Sequence, residues 1–214
     1  MTRTTNARVA GFAFLFYIAV AATGAILEGK AMAGEGVAAK LASIAQHLPM
    51  ARVAVLLELL GCLCALVLAV TLYAITRDVD PDLALMVLVC RTAEGVIGAV
   101  FLPHTLGRLW LATSGPDPGA ADAVGAMLFK LPTWSSTLPA PFFAVGSLAF
   151  SYLLWRGRMV PAWLAGLGVF ASILLVIGLP LQLVGFVGGS VMQFLWIPMA
   201  AFEIPLGVWL LVKG

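Results

Sequence analysis

The chain has 214 residues, of which 62% are hydrophobic and 10% charged, with a formal net charge of +2. Soluble domains carry about 25% charged residues, so too little polar surface is available to cover a globule in water, and lipid is the expected solvent. The twelve basic residues are scattered rather than clustered, which excludes a nucleic-acid-binding face.

A membrane-spanning helix needs ~20 mostly apolar residues. Six segments qualify, at about 9–28, 52–76, 83–112, 137–155, 161–181 and 192–212. The expected fold is all-α: one polytopic transmembrane helix bundle over 1–214. The first span follows Arg3 and Arg8 and precedes Ala31-Met32-Ala33, which looks like a signal-peptidase site. Its apolar run, Val9 to Leu27, exceeds the ~7–15 residues of a signal-peptide core, and Glu28 and Lys30 crowd the site. It reads as a retained span.

The connection at about 29–51 contains GVAAKLASIAQHL, Gly36 to Leu48, apolar on one face. That pattern predicts a helix lying at the interface. The second span carries Glu58 on a stripe of small residues, Gly61, Cys62, Ala65 and Ala69, which lets another helix approach closely. Thr76 to Asp82 is a tight polar turn. The third span holds Arg91 and Glu94 and is overlong. Pro103 interrupts it, so its end bends or lies in the interface. Ser114 to Gly119 begins the second long connection, about 113–136, which likewise reads as a partly helical segment lying at the interface. Arg156 to Pro161 is a tight turn, with Pro161 placed to open the fifth span. The sixth span holds Glu203 between Pro198 and Pro205, and those prolines predict a broken helix. Cys62, Cys64 and Cys90 lie in apolar runs and read as small buried residues rather than a redox or metal set.

An even number of spans puts both termini on one side, with Arg3, Arg8, Arg77, Arg156, Arg158 and Lys213. Lys30, Lys40, Arg52, Arg108 and Lys130 fall on the other. The basic bias favours cytoplasmic termini and long connections facing outward. Trp110, Trp134, Trp155 and Trp163 fall near span ends, as aromatic belts do.

A charge at the bilayer centre costs about 2.5–3.5 kcal/mol on insertion scales. Glu58, Arg91, Glu94 and Glu203, left unpaired, would cost about 10 kcal/mol or more, comparable to the whole stability of a domain. They must therefore meet partners, take up protons or line a wet cavity. Arg91 and Glu94 are three residues apart and share a helix face. That stripe continues through Gly98, Phe101, Thr105 and Arg108 if the helix survives Pro103. Glu28 closes the first span on a face with Tyr17, Ala21 and Gly24. By helical rise, Glu94 and Glu203 fall near mid-bilayer, Glu58 in the outer third and Glu28 at the outer edge. One buried arginine cannot neutralise three buried glutamates, so a proton or a bound cation has to balance the remainder.

Neither histidine sits in a metal-binding pattern such as HExxH, and no metal or cofactor is expected. His104, after Pro103, reads as an interfacial histidine, with acid–base work as the sharper alternative. His47 reads as solvated. Trp134 to Ser136 offers hydroxyls at the outer surface but no adjacent base.

CRTAEG at Cys90–Gly95, FEIPLGVWLLVKG at Phe202–Gly214 and the RVAGFAFLFYI opening resemble a bacterial family of integral membrane proteins, the domain of unknown function 4386. The likeness covers nearly the whole chain in the same order. In that family an Arg with a following Glu recurs early in span three, and a Glu precedes a terminal Trp-Leu-Leu-Val-Lys-Gly. Arg91, Glu94, Glu203 and Trp209–Gly214 correspond. Arg52 with Glu58 resembles the family's basic-then-acidic start of span two, where Asp is commoner. The resemblance implies about six helices and lends no activity.

The expectation is a bacterial inner-membrane protein in which Glu58, Arg91, Glu94 and Glu203 converge on a polar pocket opening outward, rimmed by Glu28, Arg52, His104 and Arg108. Membrane lipids are its surroundings, and a small molecule or lipid is its expected ligand, with proton-coupled transport as the sharpest form. One alternative is a membrane enzyme acting on a lipid or isoprenoid, which needs His104 within hydrogen-bond reach of a carboxylate. The other is an accessory protein whose polar cluster is closed, paired and without a pocket. A cavity touching both Glu94 and Glu203 separates these readings.

Overall fold

The computed structural model describes residues 2–114, 118–135 and 137–214, with 118–120, 131–135, 189, 190 and 192 described by backbone alone. The described residues form helices and no strands. Six helices make a ring in chain order: α1 (Arg3–Ala31), α3 (Leu48–Thr76), α4 (Pro81–Val100), α7 (Pro139–Arg156), α8 (Ala162–Leu183) and α9 (Gly189–Lys213). Each packs on the next, and α9 closes the ring on α1. Neighbours run antiparallel: Gly24 of α1 faces Leu57 of α3, and Tyr17 faces Gly61. The same holds at the seam, where Gly11 meets Leu211 and Gly207, while Ala7 meets Gly214. Both ends of the chain therefore lie at one end of the bundle.

Among the described residues, five helices are long and apolar enough to cross a membrane: α1, α3, α4 with its continuation, α8 and the Gln193–Lys213 part of α9. The expected fourth span is α7. It has 18 residues and takes its place between α4 and α8. It carries Ser147, Ser151 and Arg156, and Ser147 Oγ lies 3.5 Å from Arg91 Nη2. The polarity of the whole is inverted relative to a soluble domain. Large apolar side chains such as Val70, Val89, Ile177 and Val212 are exposed, whereas Arg91 is buried. Inside, Phe14, Leu68, Leu72, Phe150, Leu164, Leu175, Phe202 and Leu206 form one buried core.

Local chemistry sets the turns. Asp80 is the N-cap of α4. It accepts from Leu83 N at 3.2 Å and from Arg156 Nη1 at 2.7 Å, tying the α3–α4 turn to the end of α7. Pro81 follows at the first helical position, where its missing N–H costs nothing. Both α7 and α8 end in Schellman motifs. At α7, Met159 N donates to Leu154 O and Arg158 N to Trp155 O; at α8, Phe186 N donates to Leu181 O and Gly185 N to Gln182 O. The left-handed residue is Arg158 (φ 50°) in the first and Gly185 (φ 83°) in the second.

At the end opposite the termini lie α2 (Gly36–Gln46), α5 (Leu102–Ser114) and α6 (Pro118–Ser135). They pack on one another and on the tops of α1 and α3 around Ala31, Ile44 and Ala51. Two are the helices expected in the long connections. The third, α5, continues the overlong span after a break at Phe101, two residues ahead of Pro103. The proline has no N–H to give Ala99, and its ring disfavours a helical turn there.

One expectation is overturned. Pro198 and Pro205 do not break the sixth span: α9 is a single helix from Gly189 to Lys213 with both prolines inside it. Packing on α1 and α8 holds the segment helical through them.

A two-layer polar cavity

Glycines let the helices close around Arg91. A Cβ on Gly146 would sit 3.0 Å from Cys90 Cβ and 3.8 Å from Arg91 Cγ, so α7 approaches α4 closely there. On the other side, a Cβ on Gly95 would sit 2.9 Å from Cys62 O of α3. Arg91 is 1% exposed. Its Nη1 donates to Glu94 Oε2 at 2.9 Å, and its Nη2 lies 3.5 Å from both Glu203 Oε1 and Ser147 Oγ. Tyr17 of α1 donates to the second Glu94 oxygen at 2.9 Å. The guanidinium carbon lies 5.5 and 4.6 Å from the ring centroids of Phe14 and Phe143. Both Nη groups have polar partners and aromatic rings lie close by, contacts favoured in a desolvated site, while Nε has no partner among the described residues. Four helices thus meet at one guanidinium.

A second layer lies nearer the α5 end. Arg108 of α5 is buried and donates through Nη2 to Glu28 Oε1 at 2.8 Å, pinning α5 to the end of α1. Its Nη1 points at Met32 Sδ, 2.8 Å away. Thr105 donates to Glu58 Oε2 at 3.2 Å and accepts from Arg108 Nη2 at 3.3 Å. His104 Nε2 is 3.5 Å from the same hydroxyl.

Between the layers is a cavity of about 540 Å³. Glu94 and Glu203 lie at its deep end, and Glu28, Glu58, His104 and Arg108 near the other. The three sequence stripes line it: Tyr17, Ala21, Gly24 and Glu28 from α1; Glu58, Gly61, Cys62 and Ala65 from α3; and Glu94, Gly98, Phe101, Thr105 and Arg108 from α4 and α5. The last stripe survives the break at Phe101, which is why Arg108 still faces Glu28. Arg91 stands behind Glu94 and Glu203 and does not line the space.

The structure does not bring Arg52 to the rim. Arg52 is exposed and absent from the lining. It precedes Glu58 by six residues, which on a helix is a rotation of about 120° from the Glu58 face. His47 is exposed and caps α2 through Ser43 O at 3.0 Å. The Trp134 to Ser136 side chains lie outside the described residues. Tyr17, Ser147, Phe14 and Phe143 are the partners that sequence reading missed. A lone serine or aromatic in an apolar span carries no signal of its own, although Tyr17 does sit on the Glu28 stripe.

Each layer has the same charge balance: one guanidinium against two carboxylates, Arg91 with Glu94 and Glu203, and Arg108 with Glu28 and Glu58. With every carboxylate ionised, each layer keeps an uncompensated negative charge; in the layer of Arg91, Glu94 and Glu203, where all three are buried, it is costly unless a proton or cation meets it. Among the described residues no three His, Cys, Asp or Glu side chains gather as a metal-binding group.

No curated protein and no solved structure matches the chain. The sequence model of one family, described as a domain of unknown function, DUF4386, matches residues 9–214. The chain, an all-helical protein with several helices able to cross a membrane, belongs to that family.

Proposed function

We propose that this protein binds a small organic molecule in the cavity between α1, α3, α4 and α5, and carries it in exchange with protons. One observation supports the reading above others: a single cavity touches both Glu94 and Glu203 while reaching the layer at Glu28 and Arg108. Its volume falls within the ~300–1,000 Å³ range of small-molecule sites. Glu203 is the proton-exchanging group in this reading. It is held only at 3.5 Å by Arg91, whereas Glu94 is held at 2.9 Å by both Arg91 and Tyr17. The protein sits in a bacterial inner membrane with α7 as a sixth crossing. Both termini are cytoplasmic, since Arg3, Arg8, Arg77, Arg156, Arg158 and Lys213 share that end. The cavity then opens toward the outer face.

The accessory-protein reading requires a closed cluster, and a cavity of this size beside the ion pairs speaks against it. The enzyme reading has weaker support. His104 reaches Glu58 only through the Thr105 hydroxyl, and no His–carboxylate pair stands among the described residues.

The test is equilibrium binding to the purified protein, across neutral and mildly acidic pH. The probes are three phenylalkyl compounds of one body: an ammonium, an alcohol and a carboxylate. Saturable binding of any of them, abolished by Ala21→Trp on the cavity wall, supports the site. Binding that varies with pH in the native protein and not in Glu203→Gln supports proton exchange there. Failure of all three to bind, or binding indifferent to Ala21→Trp, overturns the site.

A further inference from the structure

We propose that the ligand is an organic cation, an ammonium group on an apolar body, and that Glu203 and Glu58 receive it. The proposal rests on the cavity being a ligand site, and it adds the ligand's chemical class.

The first ground is which hydrogen-bonding groups remain uncommitted. Facing the cavity are four carboxylates but only one guanidinium, that of Arg108. Both Nη atoms of Arg108 already donate, to Glu28 and Thr105 and toward Met32, and both Nη atoms of Arg91 are directed at glutamates. The Tyr17 and Thr105 hydroxyls are spent on Glu94 and Glu58. The guanidinium nitrogen of the wall that lacks a partner, Arg108 Nε, is enclosed, and an anion beside it would add to the charge of four carboxylates. A cation finds acceptors waiting. Glu203 uses only Oε1 and Glu58 only Oε2 among the described residues, so each keeps one carboxylate oxygen without a donor. The surplus negative charge in each layer is what such a ligand would neutralise.

The second ground is the apolar part of the wall. Phe101, Phe143 and Trp196 line the cavity, with the Phe143 and Trp196 rings 5.5 Å apart. Aromatic faces attract cations, most strongly where water is scarce. Phe143 already does this for Arg91.

Size argues for an organic cation over a bare metal ion. A metal ion needs several ligands converging within about 2–2.6 Å, whereas these carboxylates are strung along the cavity from Glu28 to Glu203 with no such group among the described residues. The volume of about 540 Å³ corresponds to roughly 18 waters at ~30 Å³ each, enough for an amine with a ring or branched chain.

Cys62 lines the cavity and is partly exposed, so it can report on what enters. With Cys64 and Cys90 replaced by alanine, the protein in membranes is treated with three small methanethiosulfonate reagents: neutral methyl, cationic trimethylammonium-ethyl and anionic sulfonate-ethyl. Rates are divided by those for free cysteine in solution. The expected result is a cationic-to-anionic ratio of tenfold or more, falling at least threefold in Glu203→Gln and in Glu58→Gln. Phenylethylammonium, and not the matched alcohol or carboxylate, is expected to protect Cys62 from the neutral reagent. Thermal unfolding of each variant confirms that it is folded, and Glu58→Gln, which touches only Thr105, serves if Glu203→Gln is unstable. Equal cationic and anionic rates, or protection by the alcohol or carboxylate, overturn the cation and leave the cavity standing as a ligand site. A Cys62 inert even to the neutral reagent overturns both readings.

Discussion

Arg91 and Glu203 are 112 residues apart in sequence, on α4 and α9, and meet with Nη2 3.5 Å from Oε1 in the interior of the bundle. The contact joins two helices that are not neighbours in the ring. Glu94 completes the ion triad from Arg91's own helix, at 2.9 Å. The pair is as much a structural tie across the bundle as the end wall of a cavity.

Removal of the cation should therefore cost far more than neutralisation of one anion. Arg91→Leu leaves two carboxylates buried without their partner and should destabilise the protein by about 3–5 kcal/mol. Glu203→Gln keeps a hydrogen-bond acceptor for Arg91 and removes the surplus charge, so its effect on stability should stay within about 1 kcal/mol. Reversible unfolding in mixed micelles measures both. Equal losses would show that the triad carries no net charge imbalance.

The seam between α1 and α9 should tolerate no side chain at Gly11. A Cβ there would lie 2.5 Å from Leu211 N and 2.6 Å from Gly207 O, both backbone atoms that cannot rotate away. Gly11→Ala should cost about 1–3 kcal/mol by overpacking. Gly166→Ala, in α8 with no atom within 4 Å of the new Cβ, should gain about 0.5–1 kcal/mol from helix propensity. The same unfolding assay compares them, and a neutral Gly11→Ala would refute the tight seam.

The two Schellman motifs predict opposite signs at one structural position. Gly185 has φ 83° and open space around it, so Gly185→Ala meets no clash and only the left-handed penalty. That penalty is about 1–2 kcal/mol. Arg158 already bears it at φ 50°, so Arg158→Gly should raise stability, by less than about 1 kcal/mol after the added freedom of the unfolded chain. Thermal midpoints in detergent give the signs.

Asp80 should contribute to the acid limb of stability. Its carboxyl is held below the usual range, first by the Leu83 N–H it caps and then by Arg156. A depressed folded value means that its stabilisation is present above the unfolded value of about 3.9 and is lost as pH falls through the folded one. Asp80→Asn keeps a cap acceptor but has no charge to titrate. The difference in thermal midpoint between native protein and variant should therefore be constant near neutrality and shrink below about pH 4. A difference that widens on acidification would contradict this.

Much of this architecture follows from the order of residues alone. Apolar runs of spanning length place the ring helices to within a few residues, because lipid demands that backbone groups be satisfied within each helix. The period of the helix also puts Tyr17 with Glu28, Glu58 with Cys62, and Glu94 with Arg108 on shared faces, since those relations depend only on rotation per residue. What no local pattern could decide is which faces look at one another. The meeting of Arg91 with Glu203 and Ser147, the approach of Phe14 and Phe143 to the same guanidinium and the continuity of α9 through two prolines all depend on how helices distant in sequence pack. Those contacts come from the ring closing α9 onto α1, a property of the assembled bundle that nearest-neighbour rules along the chain do not contain.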